Sequence, residues 1–169
     1  MEKYRLLIIV LTVIHPGIFA QNESFKNEEI SNRIVISGDI NFAWTYLSNL
    51  GNLQNLVPST IQQSTLSGKG KGSVVTLTLT NNKGTIVEEV VKIDNRKRYI
   101  SYKMISTALP IKDYLASFTV NTISNEKFEV IFYAKYRVQK ANRQARFDAF
   151  NKLQLELLTN IKLKVDENR

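Results

Sequence analysis

Two adjacent carboxylates, Glu88 and Glu89, interrupt the otherwise apolar segment TIVEEVVKID. In a strand, neighbouring side chains point to opposite faces, so one of the two should face the interior. Strict alternation favours Glu89, because it shares parity with Val87, Val91 and Ile93. A buried carboxylate is costly unless it is paired, so the inward residue is a functional candidate. The simpler alternative is a glutamate paired with a basic neighbour at a solvated edge of the sheet.

Other catalytic groups are scarce. The sequence contains no cysteine, and its single histidine, His15, lies in the N-terminal segment described next. A chain that has lost this segment can form no disulfide, no zinc site built on His or Cys, and no triad that needs an imidazole or a thiol. We therefore expect no metal site, no cofactor and no catalytic residue of those kinds. Any catalysis would have to use carboxylates, Lys, Arg, Tyr, Ser or a borrowed cofactor.

Residues 1–20 have the three parts of a secretory signal peptide. Basic MEKYR is followed by the apolar run LLIIVLTVI and by HPGIFA, which ends on the small residue Ala20. This order predicts cleavage near Ala20 and export to the periplasm or beyond. A retained membrane anchor is the weaker alternative, since the apolar run is about half of the ~20 residues that span a bilayer.

The chain is basic, with a formal net charge of +8. Part of this charge forms a run from the last strand into the final helix: Lys135, Arg137, Lys140, Arg143 and Arg146. A solvated surface is the simpler interpretation, and docking to an anionic membrane is the alternative. Nucleic acid is not an expected partner, because no nucleic-acid-binding motif is present and export argues against it.

The elements that must position these residues follow from the pattern along the chain. Residues 21–32 are polar and predict a flexible lead-in, and 33–40 (RIVISGDI) predict a strand. NFAWTYLSNLG predicts a short helix capped by Asn41 and ended by Gly51. NLQNLVP predicts a second short helix that Pro58 stops.

From residue 73 onward, strand-like runs alternate with the turn signals NNKG, NRKR and SNEK, which predicts an antiparallel meander. A long helix is expected from about Asn142 to Val165, where neither Gly nor Pro occurs. Its apolar face should pack on the meander, the only large apolar surface available. That face contains Phe147, Phe150, Leu157, Leu158, Ile161 and Val165, with Arg143 and Gln154 among them.

The predicted order of elements is one strand, two short helices, an antiparallel meander and one long helix. This order resembles the helix-grip fold of the START-like (SRPBCC) and birch-pollen-allergen superfamily. More narrowly, the chain resembles the polyketide cyclase/dehydrase and lipid transport family. The segments that carry the resemblance are NFAWTYLSNLGNLQNLVPS, GKGKGSVVTLTL, GTIVEEVVKID and RYISYKMISTALPIKDYLASFTV. The fold class it implies is α+β, with a curved antiparallel sheet of about seven strands gripping the C-terminal helix. The ligand-binding domain would cover residues 33–166.

The resemblance also implies a site. It implies that the carboxyl of Glu88, which lies near Val90, faces a cleft between the sheet and the helix. Strict alternation favours Glu89 instead, and a β-bulge would reconcile the two orientations. Two loops, SGKGKGS and TALPI, would gate the cleft, and the short helices would close its floor with Trp44, Leu47, Leu50, Leu53 and Leu56. The ligand-binding residues expected are Leu77, Leu79, Glu88, Tyr102, Met104, Ile111, Tyr114, Phe118 and Phe150.

The function expected on this basis is binding or transport of a hydrophobic or amphipathic small molecule or lipid by an exported protein. One alternative is a cyclase or dehydratase-like enzyme with Glu88 as base and a tyrosine as acid. The other is an accessory module that binds a protein and holds no small ligand. A filled interior with a large exposed apolar patch would favour that last alternative.

Overall fold

The computed structural model describes residues 24–169, so the predicted signal peptide lies outside the described residues. Seven strands and three α-helices follow one another within these residues. In order they are β1 (Lys26–Ser37), α1 (Ile40–Ser48), α2 (Leu53–Leu56), β2 (Ile61–Ser67), β3 (Val74–Leu79), β4 (Thr85–Asp94), β5 (Tyr99–Thr107), β6 (Ile111–Thr122), β7 (Lys127–Val138) and α3 (Arg143–Glu167).

All seven strands form one antiparallel sheet in the order β1-β7-β6-β5-β4-β3-β2. Strands β2 to β7 are a meander, as expected from the short turns between them. Strand β1 lies beside β7, so the first and last strands of the chain are neighbours. The sheet curves around α3, and the predicted α+β helix-grip class is confirmed.

Strand β1 differs from its predicted bounds. It begins at Lys26 rather than at Arg33, so residues 26–32 of the expected lead-in pair with β7, from Lys26 opposite Val138 onward. Polar residues dominate this half of the strand because one of its faces is solvated, and a solvated strand looks like a loop when read by composition. Ile30, which is buried, is the apolar residue of its inner face.

Helix α1 also begins slightly earlier than predicted. Its cap is Asp39 and not Asn41: the Asp39 side chain accepts a hydrogen bond from the backbone N–H of Asn41 at 2.7 Å. A 3-10 turn over Leu50–Asn52, which contains Gly51, joins α1 to α2. Pro58 follows α2, as the sequence predicted.

Helix α3 buries Phe150, Gln154, Leu157, Leu158, Ile161 and Val165 against the sheet. Phe147 was expected in this stripe, but it is 37% exposed. The cause is its position along the helix, because burial of α3 begins only at Phe150. Periodicity predicts the angle of a side chain around the axis but not how far the sheet covers the helix. Among the described residues, no helix is both long and apolar enough to span a membrane.

Candidate functional site

A cavity of about 50 Å³ lies between the sheet and α3. Its walls come from the concave face of the sheet, from α2 and the residues that follow it, and from α3. The lining residues are Leu53, Val57, Thr60, Ile61, Leu77, Leu79, Ile86, Glu88, Tyr102, Met104, Tyr114, Phe132, Phe150, Leu153 and Leu157. The wall is therefore apolar and aromatic, with Glu88 as its single carboxylate.

Glu88 faces this cavity and is 4% exposed. Glu89 points to the outer face, where its carboxylate lies 3.1 Å from the Lys103 ammonium. The alternation argument for Glu89 is therefore wrong: Glu88 shares its inner face with Ile86 and Val90, and a bulge between Val90 and Lys92 brings Ile93 to that face despite its opposite parity. Val91 is the extra residue. The orientation implied by the resemblance is the one found.

The Glu88 carboxyl makes no hydrogen bond or ion pair within residues 24–169. Burial raises its pKa to about 8, because the apolar surroundings disfavour the charged form. The group is therefore mostly a neutral carboxylic acid at pH 7. A neutral acid can donate a hydrogen bond, and it ionises readily if a cation arrives.

Tyr102 and Tyr114 supply the two phenolic hydroxyls of the wall. The pKa of Tyr102 is raised well above its usual value, mainly by burial and to a smaller extent by repulsion from Tyr114 and Glu88. The pKa of Tyr114 is also raised well above its usual value, mainly by burial and to a smaller extent by repulsion from Glu88 and Tyr136. These couplings mean that the ionisable groups of β4, β5 and β6 are electrostatic neighbours. Both tyrosines are neutral at physiological pH.

Contacts with other aromatic rings hold Tyr102 and Tyr114 in place. Tyr114 stacks at a tilt on Phe150 of α3, with ring centroids 5.4 Å apart, and this contact ties the sheet to the helix. Behind Tyr102, the Phe118 ring lies at 5.6 Å and itself contacts Phe132 at 4.6 Å. Tilted and edge-to-face pairs of this kind restrict the rotamers of the rings.

The structure brings seven of the nine predicted residues into the lining: Leu77, Leu79, Glu88, Tyr102, Met104, Tyr114 and Phe150. Ile111 and Phe118 are buried but do not line the cavity; Phe118 supports Tyr102 from behind. Of the predicted floor residues, only Leu53 reaches the cavity.

Seven further lining residues were not predicted from the sequence. They are Val57, Thr60, Ile61, Ile86, Phe132, Leu153 and Leu157. Ile86 lies two residues before Glu88 and therefore on the same face of β4. Phe132 lies on the same face of β7 as Phe128 and Tyr136. Two-residue periodicity, once the inner face is known, could have found both.

The two predicted gate loops lie at different places. Of residues 107–111, Leu109 packs on the core and Ile111 is buried in it, and neither lines the cavity. A Cβ placed on Gly84, in the β3–β4 turn, would lie 3.7 Å from the Ala108 Cβ, so these two loops touch. The glycine loop instead borders a separate groove of about 280 Å³, whose wall includes Lys69, Ser73 and no residue of the cavity.

The basic run is partly neutralised. Arg137 pairs with Asp113 at 2.9 Å, and Arg143 pairs with Glu28. These pairs favour the interpretation of a solvated surface over an anionic docking patch. Within residues 24–169, no three carboxylates or imidazoles come close enough together to hold a metal ion.

A curved seven-stranded sheet gripping a C-terminal helix around an apolar cavity defines the class of helix-grip proteins. A sequence profile described as polyketide cyclase/dehydrase and lipid transport matches residues 28–160. The chain belongs to this family. No curated protein matches the chain significantly in sequence.

Several solved structures share the fold. Norcoclaurine synthase from Thalictrum flavum, in complex with dopamine and hydroxybenzaldehyde, has a TM-score of 0.71 and 18% identity, covering 98% of this chain and 99% of that chain. An aromatase/cyclase from Streptomyces has a TM-score of 0.72 and 13% identity, covering 83% of this chain and 94% of that chain. A major latex-like protein from Panax ginseng has a TM-score of 0.65 and 19% identity, covering 82% of this chain and 97% of that chain. At these identities the similarity establishes the fold alone.

Proposed function

We propose that this protein binds a hydrophobic or amphipathic small molecule between the sheet and α3. The observation that carries the proposal is that Glu88, Tyr102 and Tyr114 line one apolar cavity as electrostatic neighbours, and that the Glu88 carboxyl has no hydrogen-bond partner among the described residues. Unpaired buried polar groups cost about 1–3 kcal/mol each. Keeping the Glu88 carboxyl unpaired in an apolar wall therefore sacrifices stability there, and a ligand would supply the missing partner.

Binding requires the cavity to open. At about 50 Å³ it holds one or two water molecules, whereas small-molecule pockets measure roughly 300–1,000 Å³. The elements that can separate are the contacting loops at Gly84 and Ala108, and α3 through its Leu153 and Leu157 contacts. Apolar burial then drives binding at about 25 cal/mol per Å², less the cost of opening and ordering.

The family supports this at a coarse level, since it includes lipid transport proteins and cyclases. Two of the similar structures are a synthase in complex with small aromatic molecules and an aromatase/cyclase. In such proteins the same cleft can serve binding or chemistry, so the site and not the fold must decide between them.

Two substitutions on one helix test the proposal. Leu153 lines the cavity, whereas Leu155, two residues further along α3, is 48% exposed. We expect Leu153→Trp to fill the cavity and to weaken binding of the neutral fluorescent probe N-phenyl-1-naphthylamine at least tenfold. Leu155→Trp should leave it unchanged. Equal effects of the two variants, with both folded by circular dichroism, or no binding to the unsubstituted protein, would contradict the proposal.

Native mass spectrometry of protein purified from its own host gives an independent measurement. A bound small molecule that is absent from the Leu153→Trp variant would identify the natural ligand. The same preparation tests export, which we propose from residues 1–20. The N-terminus of exported protein should then be Gln21, and a chain that still begins at Met1 would count against cleavage.

A second candidate function is acid–base catalysis by the same group. A general base works best when its pKa lies near the operating pH, and that of Glu88 is about 8. Once a substrate is found, Glu88→Gln should lower kcat at least a hundredfold, with Glu89→Gln as the matched control. Unchanged turnover in Glu88→Gln would exclude this mechanism and leave binding alone.

A module that binds only a protein is less well supported. The exposed large apolar residues on α3 are Phe147, Leu155 and Leu163, which follow one another at intervals of eight residues. At about 100° per residue, each is turned by about 80° from the last, so they do not form one stripe. Among residues 24–169, the other exposed large apolar side chains are Val35 in β1, Ile105 in β5 and Ile123 in the turn between β6 and β7.

A further inference from the structure

The cavity has an acid without a basic partner. No Lys, Arg or His occurs among its lining residues in the described part of the chain. Lys103 is adjacent in sequence to Tyr102 but pairs with Glu89 on the outer face of the sheet. Glu88 therefore lacks a counter-ion from the protein, and the groups beside it are uncharged.

The surroundings of this acid are aromatic. Tyr102, Tyr114, Phe132 and Phe150 line the same cavity, and the Tyr114 and Phe150 rings are in contact. The faces of aromatic rings attract cations, and desolvated contacts of this kind are the stronger ones. A carboxylate surrounded by aromatic rings, with two phenolic oxygens able to accept N–H bonds, is complementary to an ammonium group.

We propose that the ligand carries a basic amine, and that its ammonium group binds between the Glu88 carboxylate and the rings of Tyr102 and Tyr114. This inference rests on the proposed function, since it names the class of ligand for the same cavity. The apolar remainder of the ligand would contact Leu77, Leu79 and Met104 on one side and α3 on the other.

Ammonium binding is coupled to loss of a proton from Glu88. The titratable groups facing this residue are Tyr102 from β5 and Tyr114 from β6, both neutral. The described lining residues from β2, β3, β7, α2 and α3 include no titratable group. The proton moves from Glu88 to solvent as the cation enters. Amine affinity should therefore rise with pH until Glu88 is ionised in the free protein, whereas the affinity of a neutral ligand should not.

Three compounds of one shape test this inference: hexylamine, hexan-1-ol and hexanoate, titrated calorimetrically against the intact protein. We expect hexylamine to bind at least tenfold tighter than hexan-1-ol at pH 8, and hexanoate to bind weakest. Between pH 6 and pH 7 the hexylamine affinity should rise about tenfold, because one proton is released per amine bound. The ratio of amine to alcohol affinity should fall to about one in Glu88→Gln and persist in Glu89→Gln.

The outcomes separate the two proposals. If N-phenyl-1-naphthylamine and hexan-1-ol bind but hexylamine shows no preference, the amine inference is wrong and the proposed function stands. A preference that survives in Glu88→Gln also overturns it, because the charge would then come from elsewhere. If neither the probe nor any hexyl compound binds, the proposed function itself is wrong.

Discussion

Glu88 is both the candidate functional group of this protein and a residue whose burial lowers its stability. Its carboxyl is buried without a partner, and its pKa of about 8 compares with an ordinary value of 4.5. Between these two values the folded protein holds a proton that the unfolded chain has already lost. Raising the pH through this window therefore favours the unfolded chain, and the protein is least stable with respect to Glu88 above pH 8.

Removing this carboxylate should change how stability depends on pH. Relative to Glu88→Gln, the unsubstituted protein should lose roughly 1 kcal/mol of unfolding free energy per pH unit between about pH 5 and pH 8. Chemical denaturation at each pH measures the difference. Glu89→Gln, the matched change on the outer face, should not reproduce the trend. Parallel curves for the unsubstituted protein and Glu88→Gln would mean that Glu88 is solvated or paired in solution.

The residue scale also shows the limit of sequence patterns. Aromatic and aliphatic lining residues such as Tyr102, Tyr114 and Leu79 could be predicted, because two-residue periodicity and short turns define the inner face of each strand. The face of Glu88 could not be derived from periodicity, since one extra residue, Val91, reverses the alternation within β4. No composition signal marks that bulge, and only the resemblance to a family placed the acid correctly.

At the scale of elements, the C-terminal end of α3 is held where β1 turns into α1. Gly38 lies at this turn with a φ of 139°, and a Cβ there would come within 2.5 Å of the Val165 Cγ1 atom. Val165 is 1% exposed and is β-branched, so it has little freedom to move aside. Gly70, in the glycine loop, also has positive φ, but a Cβ there would have no atom within 4 Å.

These two glycines give a matched pair of substitutions. Gly38→Ala should lower the unfolding free energy by roughly 2–4 kcal/mol, because it adds a clash to an unfavourable backbone conformation. Gly70→Ala should cost only about 1 kcal/mol, the penalty of a left-handed conformation alone. Thermal and urea denaturation of both variants measure the difference. Equal losses would show that α3 does not pack closely on the β1–α1 turn.

Element types could be predicted more reliably than element extents. Turn signals and apolar periodicity predict six of the seven strands and the three helices, whereas β2 (Ile61–Ser67) has no such signal and the seven-stranded sheet was implied by the resemblance alone. The start of β1 does not, because its solvated face makes residues 26–32 look like a loop. The exposure of Phe147 does not either, since it depends on where the sheet ends beneath α3.

At the scale of the whole molecule, a nearly closed cavity makes function depend on opening. The β3–β4 turn and the β5–β6 loop touch at Gly84 and Ala108, and the strands on either side carry the lining residues Leu79, Ile86 and Met104. The Cβ separation of 3.7 Å at this contact is close to the mean for a disulfide. The chain has no native cysteine that could compete for pairing.

A disulfide across this contact should lock the cavity. The double variant Gly84→Cys and Ala108→Cys carries the strain of a side chain at the Gly84 φ of 94°, in the reduced and the oxidised form alike. We expect oxidation to slow binding and release of N-phenyl-1-naphthylamine at least tenfold in stopped-flow fluorescence. Reduction should restore both rates, so each preparation serves as its own control. Unchanged rates in fully oxidised protein would show that the ligand enters elsewhere, for example between α2 and α3.

The bulge at Val91 gives β4 one residue more than strict alternation needs. Glu88 and Val90 precede it and Ile93 follows it, and all three face the interior although Ile93 has the opposite parity. Deleting Val91 would restore strict alternation and leave Glu88 and Ile93 on their present faces. A strand with such a spare residue beside its acid can therefore be shortened by one codon during evolution without losing its ligand preference.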